Sequence, residues 1–258
     1  MQLMARYPDK YFDLAIVDPP YGILNKTARG GDHKFNMKEY SQWDVKPNDE
    51  YFEELFRVSK NQIIWGGNYF GLLWSRCVYN KGFIVWDKNQ PESLNNFSMA
   101  EMAWSSLDRP SKIFRYSVRK NRNKTHPTQK PVELYEWLLK MYAKPSDKIL
   151  DTHLGSGTIA IACYNAGISL TACEISQTYF EKALDKIKDA VPNEAFQIIE
   201  KNAFSLAFPN QTEPTNISHK QYEEQHKQLN LFFEQQAKYA SKKKNSDSLK
   251  SNPPLTTV

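Results

Sequence analysis

Short, almost uninterrupted apolar runs, set between segments of helical period, constrain this chain more than any other feature. Leu14-Ala15-Ile16-Val17 and Phe83-Ile84-Val85-Trp86 have the length and the β-branched and aromatic content of strands buried on both faces. Seven runs of this kind stand out: Phe12–Asp18, Gln62–Gly66, Phe83–Asp87, Glu101–Ser105, Lys148–Asp151, Ser169–Glu174 and Phe196–Glu200. Helical spacing covers Asp49–Ser59, Val132–Tyr142, Ser156–Asn165 and Gln177–Ala190. Pro131 before the second of these and Ser176 before the last are start signals, Pro131 as a first-turn residue. Strands that alternate with helices predict an α/β chain wound on both faces of a sheet.

At 258 residues the chain suits one large domain or two small ones, and its core needs no disulfide or metal support. Cys77, Cys163 and Cys173 are odd in number and lack C-x-x-C spacing, which argues against a disulfide framework and a cysteine zinc site. Charged residues at 24% and apolar residues at 40% exclude wholesale disorder, collagen and coiled coil. No apolar run approaches the roughly eighteen residues of a membrane span, and Met1–Lys10 has no signal-peptide core. A reducing cytoplasm is the simplest compartment. Two stretches break the alternation. Gly22–Pro47 is long and polar, which is usual for a functional loop. Beyond Pro209 the chain is polar, with a helical pattern over Tyr222–Tyr239 and an end expected to be disordered. The expected division is therefore a domain over 1–208 and an extension over 209–258.

The 34 basic residues exceed the 29 acidic ones by five. Their distribution says more than the total. Arg109, Lys112, Arg115, Arg119, Lys120, Arg122 and Lys124 follow one another with no acid between them, and Phe114 and Tyr116 are interleaved. A solvated loop over about 108–125 and a strip that neutralises nucleic-acid phosphates are both consistent with this run.

Three motifs carry candidate chemistry. Asp18-Pro19-Pro20-Tyr21 closes the first strand, where open α/β sheets bind ligands, and forms a stiff loop with a polar and a flat apolar group. Leu150-Asp151-Thr152-His153-Leu154-Gly155-Ser156-Gly157-Thr158 reads as strand, glycine loop and helix start, with free N–H groups for a ligand. Gly155 to Ala160 also fits the dinucleotide fingerprint G-x-G-x-x-A, so the loop alone does not separate a nicotinamide cofactor from S-adenosylmethionine. Glu174 ends the next strand, about 20 residues on, where a carboxylate would meet ribose hydroxyls. His126-Pro127-Thr128-Gln129-Lys130-Pro131 precedes the Val132–Tyr142 helix as a polar loop between prolines. His126 has no histidine or cysteine partner at ligand spacing, so no metal is expected.

D-P-P-Y, then H-P-T-Q-K-P, then L-D-x-x-x-G-S-G-T is the order in which the chain resembles the β-class amino-methyltransferases of DNA. The resemblance spans roughly residues 3 to 205 and takes in Ile64-Trp65-Gly66-Gly67-Asn68-Tyr69-Phe70 and Val85-Trp86-Asp87-Lys88. It implies a Rossmann-like, seven-stranded, mostly parallel sheet, permuted so that the catalytic strand precedes the cofactor-binding half. It implies methyl transfer from S-adenosylmethionine to an exocyclic amine of a base extruded from double-stranded DNA. Aspartate rather than serine before Pro19 points to adenine N6, with cytosine N4 as the alternative. Asp18, Pro19, Pro20 and Tyr21 would form the catalytic loop: the Asp18 carboxylate and Pro19 carbonyl accept the amine's two N–H bonds, and Tyr21 stacks on the base. Asp18, His126, Thr128, Asp151, His153, Gly155, Ser156, Gly157, Thr158 and Glu174 would line the cofactor site. His126 and Thr128 are assigned to its amino-acid end and Glu174 to its ribose. The seven basic residues from Arg109 to Lys124 would face DNA. Asp151-Thr152-His153 departs from the family's usual Asp-Pro-Phe or Asp-Pro-Cys, which places His153 where an aromatic often flanks the cofactor. The family's setting is the cytoplasm of a bacterial or phage-infected cell, with room for a homodimer and a cognate restriction endonuclease and none for a membrane. A nicotinamide-dependent dehydrogenase would explain only the glycine loop and Glu174. A non-catalytic nucleic-acid-binding relative would leave Asp18 without a purpose. RNA and protein are further substrates that the motifs admit, although N-P-P-Y rather than D-P-P-Y would favour protein glutamine.

Overall fold

The computed structural model describes residues 1–23, 44–76, 82–90, 98–117, 124–126, 128–200 and 202–206. All of them belong to one compact unit within Met1–Pro209. Most of the Gly22–Pro47 loop, the Tyr222–Tyr239 helical pattern, Cys77, and Arg119, Lys120 and Arg122 of the basic strip lie outside the described residues.

Nine strands are described: β1 Phe12–Val17, β2 Ser59–Trp65, β3 Phe83–Asp87, β4 Ala100–Ser105, β5 Lys112–Arg115, β6 Lys148–Asp151, β7 Ser169–Cys173, β8 Phe196–Glu200 and β9 Ala203–Leu206. They form one sheet in the order β5-β3-β4-β2-β1-β6-β7-β9-β8. The seven predicted runs are all present, and β5 and β9 add to them. The middle of the sheet, β2-β1-β6-β7, is parallel. On its flanks β4 runs antiparallel to β2 and β3, and β9 antiparallel to β7 and β8. β5 lies beside β3 and parallel to it.

Burial explains the middle. From Leu14 to Val17 every residue of β1 is buried, so both faces of the strand are covered. One face meets α1 (Asp49–Val58), which buries Tyr51, Phe52, Leu55 and Val58, and α2 (Gly71–Arg76), which buries Leu73. Asn48 caps α1, its side chain accepting from the Tyr51 N–H. Across the sheet α3 (Val132–Tyr142) packs on α4 (Thr158–Ala166), and α4 on α5 (Gln177–Ala190). Pro131 occupies the cap of α3 rather than its first turn, with an extended ψ of 149°. Ser176 caps α5, accepting from the Tyr179 N–H at 3.4 Å. Gly157, which leads into α4 at φ +76°, lies so close to Ala183 and Ile187 that a Cβ would crowd both.

The basic strip is not the continuous loop that its charge suggested. Lys112–Arg115 is a strand at one end of the sheet's order, with Phe114 buried and Lys112, Ile113 and Arg115 exposed. Alternation and a terminal position explain this, since charged side chains suit an edge strand. No helix among the described residues is long and apolar enough to cross a membrane.

Candidate active site

The topology gathers the motifs before any side chain is considered. The chain leaves β1 toward β2 on one side and leaves β6 toward β7 on the other. The seam between β1 and β6 is thus a point where the winding reverses, and ligands bind beyond the strand ends at such points. Asp18 follows β1 there and the glycine loop follows β6. Glu174 follows β7 on the same edge. The antiparallel β4 brings its N-terminal end to this edge, with Ala103 opposite Trp65, and β3 brings its C-terminal end, with Trp86 opposite Glu101. Strand direction alone therefore sets Glu101 and Lys88 near Asp18, although they are remote in sequence.

At the β1 end, Pro19 is buried and Pro20 and Tyr21 are half-buried. The Tyr21 hydroxyl donates to Asp18 Oδ1 at 2.6 Å, and the Lys130 ammonium donates to Oδ2. Lys130 also meets Glu101 Oε2 at 3.1 Å, and Lys88 meets Glu101 Oε1 at 2.7 Å. The Tyr21 ring stacks on Tyr69 with centroids 5.0 Å apart and planes 17° apart, and stands edge-on to Phe70. Gly66, at φ +66°, lies against this ring, and a methyl group there would overlap it. Burial pushes the Asp18 carboxyl up, and Lys130 pulls in the other direction without cancelling the shift. Burial would likewise depress Lys130, but Asp18 and Glu101 reverse that and raise it. Burial opposes ionisation of Glu101 as well, yet Lys130 and Lys88 hold it down to about 2.

At the β6 end, the Glu174 carboxylate braces the glycine loop. Its Oε2 accepts the Gly155 N–H at 2.9 Å and its Oε1 the Ser176 N–H at 3.0 Å. Gly155 and Gly157 both have positive φ, 55° and 76°. Ser156 and Thr158 are buried, with their hydroxyl oxygens 3.4 Å apart. Asp151 Oδ1 accepts the His153 N–H at 2.9 Å. Burial, with Asp18 and Glu174 adding repulsion, raises the Asp151 carboxyl to about 8. His153 turns toward α1: its Nδ1 is 3.0 Å from Thr152 Oγ1 and 3.5 Å from the Tyr51 hydroxyl, and its ring meets Tyr51 edge-on. His126 Nδ1 is 3.1 Å from Thr128 Oγ1, and its ring is 4.4 Å from that of Tyr179. An added Cβ on Gly155 would be 3.9 Å from His126, so the H-P-T-Q-K-P loop and the glycine loop face each other. Burial depresses both histidines to about 3, which leaves them neutral.

The predicted residues thus fall into one connected region, apart from the basic strip. There Arg115 pairs with Asp87 at 3.2 Å, Arg109 reaches the Met141 carbonyl at 3.4 Å, and Lys112 is exposed. Sequence reasoning passed over Glu101, Lys88, Tyr51, Tyr69 and the charge of Lys130. A signal existed for two of them. Glu101 opens an otherwise apolar strand, and Lys130 is held between Gln129 and Pro131 ahead of a helix that needs no cation there. No group of three or more histidine, cysteine or acidic side chains among the described residues could hold a metal ion.

A mixed sheet with helices on both faces, whose parallel centre presents an acidic proline loop beside a glycine loop, defines a Rossmann-like α/β fold. Residues 64–185 match the model of the DNA methylase family. It is 26% identical over 230 residues to the type II methyltransferase M.HpaI of Haemophilus parainfluenzae, covering 72% of this chain and 71% of that one. It is 25% identical over 246 residues to M.HinfI of Haemophilus influenzae, another type II methyltransferase, with 75% and 67% covered. Among solved structures, that of the M1.HpyAVI–SAM complex aligns with a TM-score of 0.48 at 20% identity, over 71% of this chain and 92% of that one.

Proposed function

We propose that the protein transfers the methyl group of S-adenosylmethionine to the N6 amine of adenine in double-stranded DNA. The observation that carries this reading is the position of Asp18 at the β1–β6 reversal, facing the glycine loop across one seam of the sheet. The DNA methylase match and the type II relatives support the reaction class. The residues at the β6 and β7 ends fit the cofactor: a loop with positive-φ glycines, a half-buried carboxylate, and two neutral histidines beside it. Glu174 would take the ribose hydroxyls, and His126 and Thr128 the amino-acid end, with Asp151 and the Gly155–Thr158 segment lining the rest. Bound there, S-adenosylmethionine supplies an electrophilic methyl group.

The chain's own part is to make a poor nucleophile reactive. An adenine amine is conjugated with its ring, and it is out of reach while the base is stacked. Asp18 and the Pro19 carbonyl accept its N–H bonds, draw it toward tetrahedral geometry and stabilise the positive charge that develops on nitrogen. Tyr21, with Tyr69 beside it, offers an aromatic surface for the extruded base. Lys112 and Lys124, with Arg109, Arg115, Arg119, Lys120 and Arg122, are assigned to the phosphates. A cytoplasmic bacterial or phage-borne modification enzyme, paired with a restriction endonuclease or acting alone, fits this chemistry. Expression in cells, digestion of their DNA to nucleosides and mass spectrometry test it. N6-methyladenine is expected. N4-methylcytosine would overturn the base assignment, and no methylated base would overturn the reaction.

A further inference from the structure

The Lys130 ammonium is 1% exposed as a side chain and lies between two carboxylates. Continuing outward, Lys88, Glu101, Lys130 and Asp18 alternate in sign, and the Tyr21 hydroxyl ends the row. The two oxygens of Asp18 are therefore not equivalent. Oδ2 is held by a buried cation that would leave the Asp18 carboxylate without a cationic partner if it withdrew. Oδ1 is held by a neutral phenol on a half-buried ring, a donor that an incoming amine can replace at lower cost. We propose that Lys130 is a positioning residue of the methyl transfer: backed by Glu101, it locks Oδ2 so that Asp18 presents Oδ1, still ionised, to the target amine. The Tyr21 hydroxyl holds the place of that amine until the base arrives. This inference rests on the reading of the site as an amino-methyltransferase.

The geometry makes two demands on Lys130, and both are met. Its ammonium lies over Trp65, 5.2 Å from the ring centroid, a cation–π contact that helps to hold it in place. Its position immediately before Pro131 and α3 makes the last step of the loop rigid. Asp18 is faced by Tyr21 from its own loop, Lys130 from the loop before α3, Tyr135 from α3, Glu101 from β4 and Asp151 from the end of β6. Glu101 is held ionised, so removal of Lys130 leaves Asp18 beside a like charge, where it takes up a proton and ceases to accept.

The test is the pH profile of kcat, with duplex DNA as substrate, for wild type, Glu101→Gln and Lys130→Met/Glu101→Gln. The double variant removes one charge of each sign, so that the net charge of the row is unchanged. Asp18 protonation sets the acidic limb. Glu101→Gln removes a negative neighbour and should move that limb to lower pH. The double variant removes the cation and should move it to higher pH by a unit or more, with kcat reduced about 10²-fold where small misplacement is felt. Affinity for S-adenosylmethionine should stay within about twofold in both. A purely structural role lowers the folded fraction and leaves the limb in place. Limbs that coincide with that of wild type would overturn the proposal, and if the double variant does not fold, the Glu101→Gln shift decides alone. A wild type that methylates no DNA would overturn the functional reading, and this inference with it.

Discussion

Asp18 shows how much one residue depends on strand direction. Its side chain is offered at the sheet edge because β1 ends there, and Pro19 and Pro20 keep the chain from pairing further. Asp18→Ala should lower kcat for methyl transfer by about 10²–10³, with binding of cofactor and DNA held within a few-fold, since its bonds strengthen as charge develops on the amine. Single-turnover methylation on duplex DNA measures this, and a variant at full rate would remove Asp18 from the mechanism. Glu174 presents the opposite case, a carboxylate already committed to two backbone N–H groups. Glu174→Ala should weaken S-adenosylmethionine binding by about 1.5–3 kcal/mol, the range for bonds to a charged group, and also loosen the Gly155 turn. Calorimetry that shows unchanged affinity would leave Glu174 as a brace alone.

Elements were legible to different degrees, for physical reasons. β3, β6, β8, α3 and α5 match the ranges read from composition and period, because each is bounded by polar or turn residues. β2 begins earlier than its apolar run, at Ser59, since its first, more polar residues also pair with β1. β5 and β9, four residues each, are too short to announce themselves, and the antiparallel flanks are invisible because local pattern does not encode pairing direction. The motifs revealed the site's loops but not its charge row, since Lys130 and Asp18 are 112 positions apart in the chain. Gly66→Ala tests the loop after β2. A left-handed φ costs a non-glycine residue about 1–3 kcal/mol, and the methyl group would also displace Tyr21. Urea unfolding should show at least that loss, and an unperturbed midpoint would mean that Tyr21 has room to move. On β5, Lys112→Ala should reduce the log–log salt slope of DNA binding by about 0.9, the value for one phosphate contact. An unchanged slope would assign that face to solvent.

For the molecule as a whole, the site's burial links catalysis to stability through pH. Asp151 is 2% exposed and close to Asp18 and Glu174, and its carboxyl titrates at about 8 rather than in the ordinary acid range. The native chain thus keeps a proton that the unfolded chain gives up above about pH 4. Its contribution is whole below the unfolded value and is lost as pH rises toward 8. His126 and His153 run the other way. Their native values near 3 mean that the unfolded chain binds protons first, so stability falls as pH drops below about 6.5. The two trends place the stability maximum near pH 6.5, if only these groups are counted. Asp151→Asn isolates the acid, since an amide keeps the bond from the His153 N–H and carries no charge at any pH. Relative to wild type, the variant should gain about 2 kcal/mol between pH 6.5 and pH 8, at 1.36 kcal/mol per unit. Urea midpoints of the two proteins at both pH values give the difference directly. If the two stabilities run parallel across that window, Asp151 is ionised in the native chain.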